Sequence, residues 1–237
     1  MRKEKYIQST FVEIGILKTI MGNIAIDGPA GAGKSTIAKI VAKKKGYIYV
    51  DTGAMYRAMA LFIIREGIKP EETDKIEEAC DKADISIKYV DGEQVVTLNG
   101  ESVNGLIRTE EVSNMASVTS VNAKVREKLV ALQQKLGKET DVVMDGRDIG
   151  TVVLKDAPCK IYLTASDDVR AKRRYDELME KGVPCDLNEI KKDIIERDHR
   201  DMNRAISPLR RADDAVFLDS SSMTIDEVVS KIIELSE

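Results

Sequence analysis

The chain has 237 residues, a length that fits one large domain or one domain carrying a small insert. Hydrophobic residues make up 43% and charged residues 33%, enough for a packed core under a charged surface, which excludes a collagen-like, low-complexity or disordered chain. The 37 basic and 41 acidic side chains leave a net charge of −4. Nucleic-acid binding by bulk electrostatics is therefore not expected, and any phosphate must be held by local geometry.

The opening MRKEKYIQSTFVEIGILKTI runs basic and then apolar, like a leader. Glu13 and Lys18 interrupt its apolar part, and no small-x-small cleavage site follows, so export is not expected. Residues 1–20 are expected to be a dispensable extension outside the fold, with residues 21–237 as the core. No stretch approaches the ~18 apolar residues of a membrane span. The three cysteines, Cys80, Cys159 and Cys185, are widely spaced and form no CxxC pair. They imply neither a disulfide frame nor a zinc site and fit a reducing, cytoplasmic setting. No membrane or nucleic-acid partner is expected, and the chain is expected to be a monomer.

Short apolar runs alternate with longer helical patterns, the signature of an α/β parallel sheet. The first run, Asn23–Asp27 (NIAID), leads into GPAGAGKST (Gly28–Thr36). A helix over Lys34–Lys45 then places Ile37, Ile40 and Val41 on one face, and Gly46 falls where it should end. Tyr47–Val50 (YIYV) is the second run. DTGAMYR (Asp51–Arg57) follows, with a helix over Gly53–Arg65 holding Met55, Met59, Phe62 and Ile63 at helical spacing. Residues 85–103 break the pattern: they alternate, with turn signals at Asp91–Gly92 and Asn99–Gly100. Such a meander does not easily continue a parallel sheet, so residues 70–125 are expected to be a small antiparallel β insert with flanking helices.

Asp141–Asp145 (DVVMD), Lys160–Thr164 (KIYLT) and Ala215–Asp219 (AVFLD) complete the runs. All five are short and nearly continuous, as in strands buried on both faces, and a helix is expected after each. Further helices read over Asp167–Lys181, Asp186–Asp201 and Thr224–Leu235, with Gly182 at a helix end. The charged pair within residues 167–205 is expected to be a helical lid.

GPAGAGKS (Gly28–Ser35) matches G-x-x-x-x-G-K-S/T between a strand pattern and a helix pattern, the context a phosphate loop requires. Glycines let backbone N–H groups turn inward around an anion, and the following helix adds its N-terminal donors and dipole. Lys34 then reaches the β- and γ-phosphates, and the Ser35 hydroxyl has the place of a Mg²⁺ ligand. A phosphate loop by itself does not separate a kinase from a GTPase, a motor or a switch. No NKxD guanine-reading motif and no LSGGQ element occurs. A small chain with a meander insert and an arginine-rich lid points to transfer onto a small acceptor.

Ligands of open α/β sheets bind at the carboxyl ends of the strands. Arg57 lies one helical turn past Gly53 and points there, unless it is a solvated surface arginine. Asp145 directly follows an apolar run, the place of a magnesium-side carboxylate; a cap or turn residue is the other reading. Arg147 and Asp148 follow it, either as ligand groups or as a mutual surface salt bridge. The lid segment carries Arg170, Arg173, Arg174, Arg197, Arg200, Arg204, Arg210 and Arg211, each suited to a phosphoryl group or to a helix-surface ion pair. The single histidine, His199, lies among charged helix residues and reads as solvated, which disfavours a hydrolase triad.

GPAGAGKST (Gly28–Thr36), DTGAMYR (Asp51–Arg57), IRTEEVSNMAS (Ile107–Ser117), VR (Val125–Arg126), DGRDIGTVV (Asp145–Val153) and ERDHRDMNRAISPL (Glu196–Leu209) together resemble the bacterial cytidylate kinases. The resemblance runs from about Gly22 to the C-terminus. It implies transfer of the ATP γ-phosphoryl group to CMP or dCMP with Mg²⁺. It implies the P-loop kinase fold: a five-stranded parallel sheet with helices on both faces, a monophosphate-binding insert and a mobile lid. ATP would be bound by Gly28, Pro29, Ala30, Gly31, Ala32, Gly33, Lys34, Ser35 and Thr36. Arg57, Arg147 and Arg204 would hold the acceptor phosphate, while Ser117, Arg126 and Asp148 would read the cytosine. Arg197 and Asp201 would contact the sugar, with Thr52 near the nucleotide where the family often has Ser. Lys34, Asp145, Arg173 and Arg174 would serve the transfer. Another monophosphate kinase would share every phosphate residue, so only Ser117, Arg126 and Asp148 carry the base choice. A switch would not need the arginines Arg57, Arg147 and Arg204.

Overall fold

The computed structural model of the chain describes residues 22–90 and 93–237. The extension expected at residues 1–20 and the Asp91–Gly92 turn lie outside the described residues. Strand β1 (Ile24–Asp27) leads into α1 (Lys34–Lys45), β2 (Ile48–Asp51) into α2 (Thr52–Arg65). The insert follows: α3 (Thr73–Lys82), β3 (Ile85–Val90), β4 (Glu93–Leu98), β5 (Glu101–Ser102) and α4 (Glu110–Thr119). Then come α5 (Ala123–Glu139), β6 (Val142–Gly146), β7 (Cys159–Thr164), α6 (Asp167–Glu180), α7 (Leu187–Asn203), β8 (Val216–Asp219) and α8 (Ile225–Leu235).

The large sheet is five-stranded and parallel, in the order β2-β6-β1-β7-β8. Period-two alternation sorts its side chains onto two cores. Ala25, Val142 and Met144 face α2, α5 and the insert; Ile24, Ile26 and Val143 face α1 and α8. This places β1 at the centre, with its carboxyl end, the start of the phosphate loop, flanked by the ends of β6 and β7. The small antiparallel sheet β3-β4-β5 closes with Asn99 and Gly100 at φ 48° and 83°, the left-handed pair that a two-residue hairpin turn needs. Its Ile85, Val96 and Leu98 share one hydrophobic cluster with α2, so the insert has no core of its own.

Two sequence expectations need correcting. No α-helix directly follows β6: Ile149–Val153 forms a single π-helical turn, whose first N–H groups, on Ile149 and Gly150, donate to Asp27 Oδ1 and Oδ2 at 2.8 and 2.7 Å. Nor is the last strand buried on both faces. β8 is a sheet edge; Val216 and Phe217 are exposed, and Phe217 stacks on Tyr162 at 6.0 Å.

Candidate active site

The Gly28–Ser35 loop joins β1 to α1, as the motif demands. A Cβ on Gly28 would stand 1.9 Å from the Leu163 carbonyl oxygen of β7, so no other residue fits there without moving the sheet. Gly33 has φ 82° and caps α1, letting the chain turn so that Lys34 and Ser35 open the helix.

Around this loop lies one cleft of about 960 Å³. Ala30 to Thr36 line it, together with Thr52, Arg57, Ser117, Arg126, Asp145, Arg147, Asp148, Arg173, Arg174, Arg197, Asp201 and Arg204. Gly28 and Pro29 do not line it. Gly28 packs under the loop against Leu163, and the Pro29 carbonyl accepts the Lys34 Nζ hydrogen bond at 2.6 Å. His199 is exposed, as its charged surroundings suggest.

At the loop end, Ser35 Oγ donates to Asp145 Oδ2 at 2.8 Å, and the Tyr49 hydroxyl donates to Oδ1 at 2.8 Å. Asp145 therefore caps no helix; it sits in β6 as a buried carboxylate, one oxygen on Ser35 of the loop and the other on Tyr49 of β2. Burial, and then the neighbouring Asp51 charge, push its carboxyl up. Burial, and then the nearby Arg147 charge, push the Lys34 ammonium well down. Each group is thus held at a cost that an incoming polyanion and cation would relieve.

At the far end, Arg147 and Asp148 do not pair with one another. The backbone turns between them, and each finds a different partner. Arg147 Nε donates to Asp201 Oδ2 on α7 at 2.7 Å. Asp148 is paired with Arg126 of α5, and its other oxygen lies 3.7 Å from Arg204 Nη2. Arg126 also lies over the Tyr56 ring, 5.8 Å from its centre. Between these ends, Arg57 Nη2 lies 3.1 Å from Asp51, and Thr52 Oγ1 donates to the Asp145 carbonyl at 2.7 Å. The Nε of Arg57 and Nη2 of Arg204 are buried without a hydrogen-bond partner. Unpaired buried guanidinium donors facing one cleft are what a phosphate would satisfy. On α6, Arg173 donates to the Ser220 carbonyl at 2.8 Å, and Arg174 pairs with Glu177 on its own helix.

A scan against family models matches residues 24–237 to the family described as "Cytidylate kinase". This chain belongs to the cytidylate kinase family. Its relatives include the cytidylate kinases of Caldicellulosiruptor saccharolyticus, 55% identical over 90% of this chain and 94% of that one, and of Bacillus subtilis, 48% identical over 91% and 96%. That of Lactobacillus gasseri is 50% identical over 90% of this chain and 92% of its own. A solved shikimate kinase from Bacteroides thetaiotaomicron is similar at a TM-score of 0.44 and 15% identity, over 90% of this chain and 97% of that one. Membership makes the chain a kinase. Among the described residues, no helix is long and apolar enough to cross a membrane.

Family membership also frames the residues that sequence reasoning missed. Asp51 accepts from Arg57, from Arg108 at 3.0 Å and from the Ala54 N–H at 2.9 Å, so one carboxylate at the end of β2 orders two cleft arginines. Its position straight after an apolar run was the available signal. Tyr49, which holds Asp145, and Gln133, which lines the cleft with its Nε2 buried and unpartnered, gave none, because a strand tyrosine and a helix glutamine carry no motif.

Asp27 was also missed. It is buried behind the loop, and burial raises its carboxyl to about 6, against the opposing hydrogen bonds from Gly150 and Ile149. A raised value in the folded state makes the ionised form the costly one. Its contribution to stability is complete below about pH 4 and is lost as pH rises through about 6, by ~3 kcal/mol at ~1.4 kcal/mol per pH unit. Urea unfolding of wild type and Asp27→Asn checks this. The wild type is expected to lose stability relative to the variant as pH rises through that window. A constant difference would mean that Asp27 ionises as an ordinary carboxylate.

Proposed function

We propose that this chain transfers the γ-phosphoryl group of ATP to CMP or dCMP, giving ADP and the cytidine diphosphate. The observation that carries the reading is the single cleft with two differently built ends. One end is a phosphate loop with Lys34, Ser35 and Asp145. The other is a buried Asp148–Arg126 pair flanked by arginines with unmatched donors. ATP would lie along the loop, and the monophosphate would bind against Arg57, Arg147 and Arg204.

In this reading the acceptor phosphate is itself the nucleophile, so no strong base is needed. Catalysis rests on in-line positioning and charge neutralisation. Lys34 would neutralise the β- and γ-phosphates, and Arg173 and Arg174 would leave Ser220 and Glu177 for the phosphoryl group in transfer. At the sugar, Asp201, held by Arg147, and Arg197 would take the hydroxyls, and Ser117 would join Arg126 and Asp148 at the base. The insert over 70–125 would carry part of the monophosphate site, and 167–205 would close as a lid that excludes water.

Mg²⁺ fits the loop end. Ser35 Oγ and Asp145 Oδ2 are 2.8 Å apart and are hard oxygen donors of the kind this ion takes in small number beside nucleotide phosphates. Among the described residues there is no cluster of three or more acidic, His or Cys side chains for a metal, so the ion would arrive with its nucleotide. Bound there, it would neutralise charge on the β- and γ-oxygens. Buried, unpaired Cys80 and Cys159 fit a reducing compartment, and the cytoplasm is the proposed location.

The test is ADP production from ATP and Mg²⁺ with CMP, dCMP, UMP, AMP and GMP in parallel. Stimulation by CMP and dCMP is the expected result. Stimulation by another monophosphate in their place would overturn the base assignment, and slow hydrolysis unaffected by any of them would overturn transfer.

A further inference from the structure

We propose that Arg170 and Asp198 form a clamp that sets the shape of the phosphate loop from the lid side, acting as positioning residues through the Ala30 peptide. The inference rests on the reading above that this loop binds ATP. Arg170 lies in the first turn of α6 and Asp198 near the end of α7, so each lid helix supplies one jaw.

Both faces of the Ala30 residue are gripped. Its N–H donates to Asp198 Oδ1 at 2.9 Å, and its carbonyl accepts from Arg170 Nη1 at 2.7 Å. The jaws are joined to each other, since the same Nη1 lies 2.5 Å from Asp198 Oδ2. Arg170 is anchored further by Nε to the Ala165 carbonyl at 2.9 Å and by a pair with Asp167. Its stem lies against the loop, where a Cβ on Gly31 would stand 3.3 Å from Arg170 Cβ. Both side chains are buried, Arg170 at 3% exposure and Asp198 at 6%.

A buried ion pair is a poor stabiliser, because apolar residues of similar volume often do as well. This pair does something apolar residues would not: it satisfies both polar groups of a loop residue that has no secondary structure to satisfy them. With the Ala30 N–H held by Asp198, the loop keeps one curvature for the donors that follow. The lid helices also cannot separate near this point without pulling on the loop, so lid motion must pivot about it.

The test compares wild type with Asp198→Ala, Asp198→Asn and the double variant Arg170→Met/Asp198→Leu, reading KM for ATP and for CMP separately. Wild-type turnover with CMP tests the functional reading; the shift between proteins tests the clamp. Asp198→Ala takes one of two carboxylates from the buried Arg170, leaving Asp167, and strands the Ala30 N–H, so the double variant, which buries no lone charge, is the deciding protein. Its Tm is expected somewhat below wild type, because the Ala30 N–H and carbonyl lose their partners, with KM for ATP raised by ~10-fold or more, since small misplacements of a positioning group cost that much. KM for CMP should move by no more than about twofold. Asp198→Asn keeps an oxygen for the Ala30 N–H but turns its amide N–H2 toward the Arg170 Nη1 donor, so its KM for ATP is expected between wild type and the double variant. A folded double variant with unchanged KM for ATP overturns the clamp. So does a parallel rise in both KM values, or an Asn variant as impaired as the double.

Discussion

Replacing Lys34 with Ala is expected to lower kcat with CMP by at least ~10³-fold, the scale seen when a preorganised cationic or oxyanion donor is removed from a transferring group. The fold should survive unharmed. Lys34 is 6% exposed, its ammonium donates to the Pro29 carbonyl at 2.6 Å, and burial next to the Arg147 charge holds its pKa well below the ordinary lysine value. That depression means the free enzyme carries the charge at a cost, and the compensating anion is missing from the chain. Removing the ammonium relieves its burial and its repulsion with Arg147 but withdraws its attraction for Asp145 and Asp27, so the stability effects oppose one another. The expected result is a Tm near wild type together with lost turnover. Thermal unfolding and single-turnover transfer on the same sample separate the two effects. Near wild-type kcat would remove Lys34 from the mechanism, and a collapsed Tm would show that its place is structural.

The phosphate loop was legible in the sequence because its chemistry is local. Gly33 must take a left-handed φ, and Lys34 and Ser35 must open a helix, so a few adjacent positions carry the whole requirement. The strands were legible within about a residue of their ends, since runs buried on both faces read as apolar blocks. What could not be read was pairing across the chain. Arg147 and Asp148 are neighbours, and a mutual salt bridge was the natural alternative. Yet Arg147 reaches Asp201 and Asp148 reaches Arg126, 54 and 22 residues away. The single turn after β6 is tied down from farther away: Asp27, 122 residues before Ile149, accepts the Ile149 N–H. The exposure of β8 follows from its edge position, and strand order is a property of the assembled sheet. The site roles of the arginines rested on family resemblance, because an arginine on a charged helix looks the same whether it meets a phosphate or a glutamate. Within one segment, Arg174 pairs with Glu177 while Arg204 keeps a buried nitrogen without a partner.

Asp148→Asn is expected to lower kcat/KM for CMP by ~10²-fold and to bring the CMP-over-UMP preference down by a similar factor. The argument starts from donors and acceptors. A carboxylate only accepts, so Asp148 suits the exocyclic amine of cytosine and opposes the oxygen that uracil carries there. One well-made base contact discriminates by ~1–3 kcal/mol, and an acceptor facing an acceptor adds the cost of unpaired buried groups. With its oxygen kept on Arg126, Asn turns an N–H donor toward the base, which no longer matches the cytosine amine and no longer opposes the uracil oxygen. The choice of Asn over Ala follows from the surroundings. Asp148 is 5% exposed and neutralises Arg126 while lying 3.7 Å from Arg204 Nη2. Alanine would leave two buried guanidinium groups facing each other, a loss of stability that would hide any change in specificity. Asparagine keeps an oxygen for Arg126 and so keeps that arginine available for the ring acceptors of the base. Steady-state kcat/KM with CMP and UMP, measured on protein whose Tm has been checked, decides it. An unchanged preference would move base reading away from Asp148 and onto Ser117 and Arg126. A loss of activity equal for both nucleotides would make Asp148 a support for the arginines that hold the acceptor phosphate.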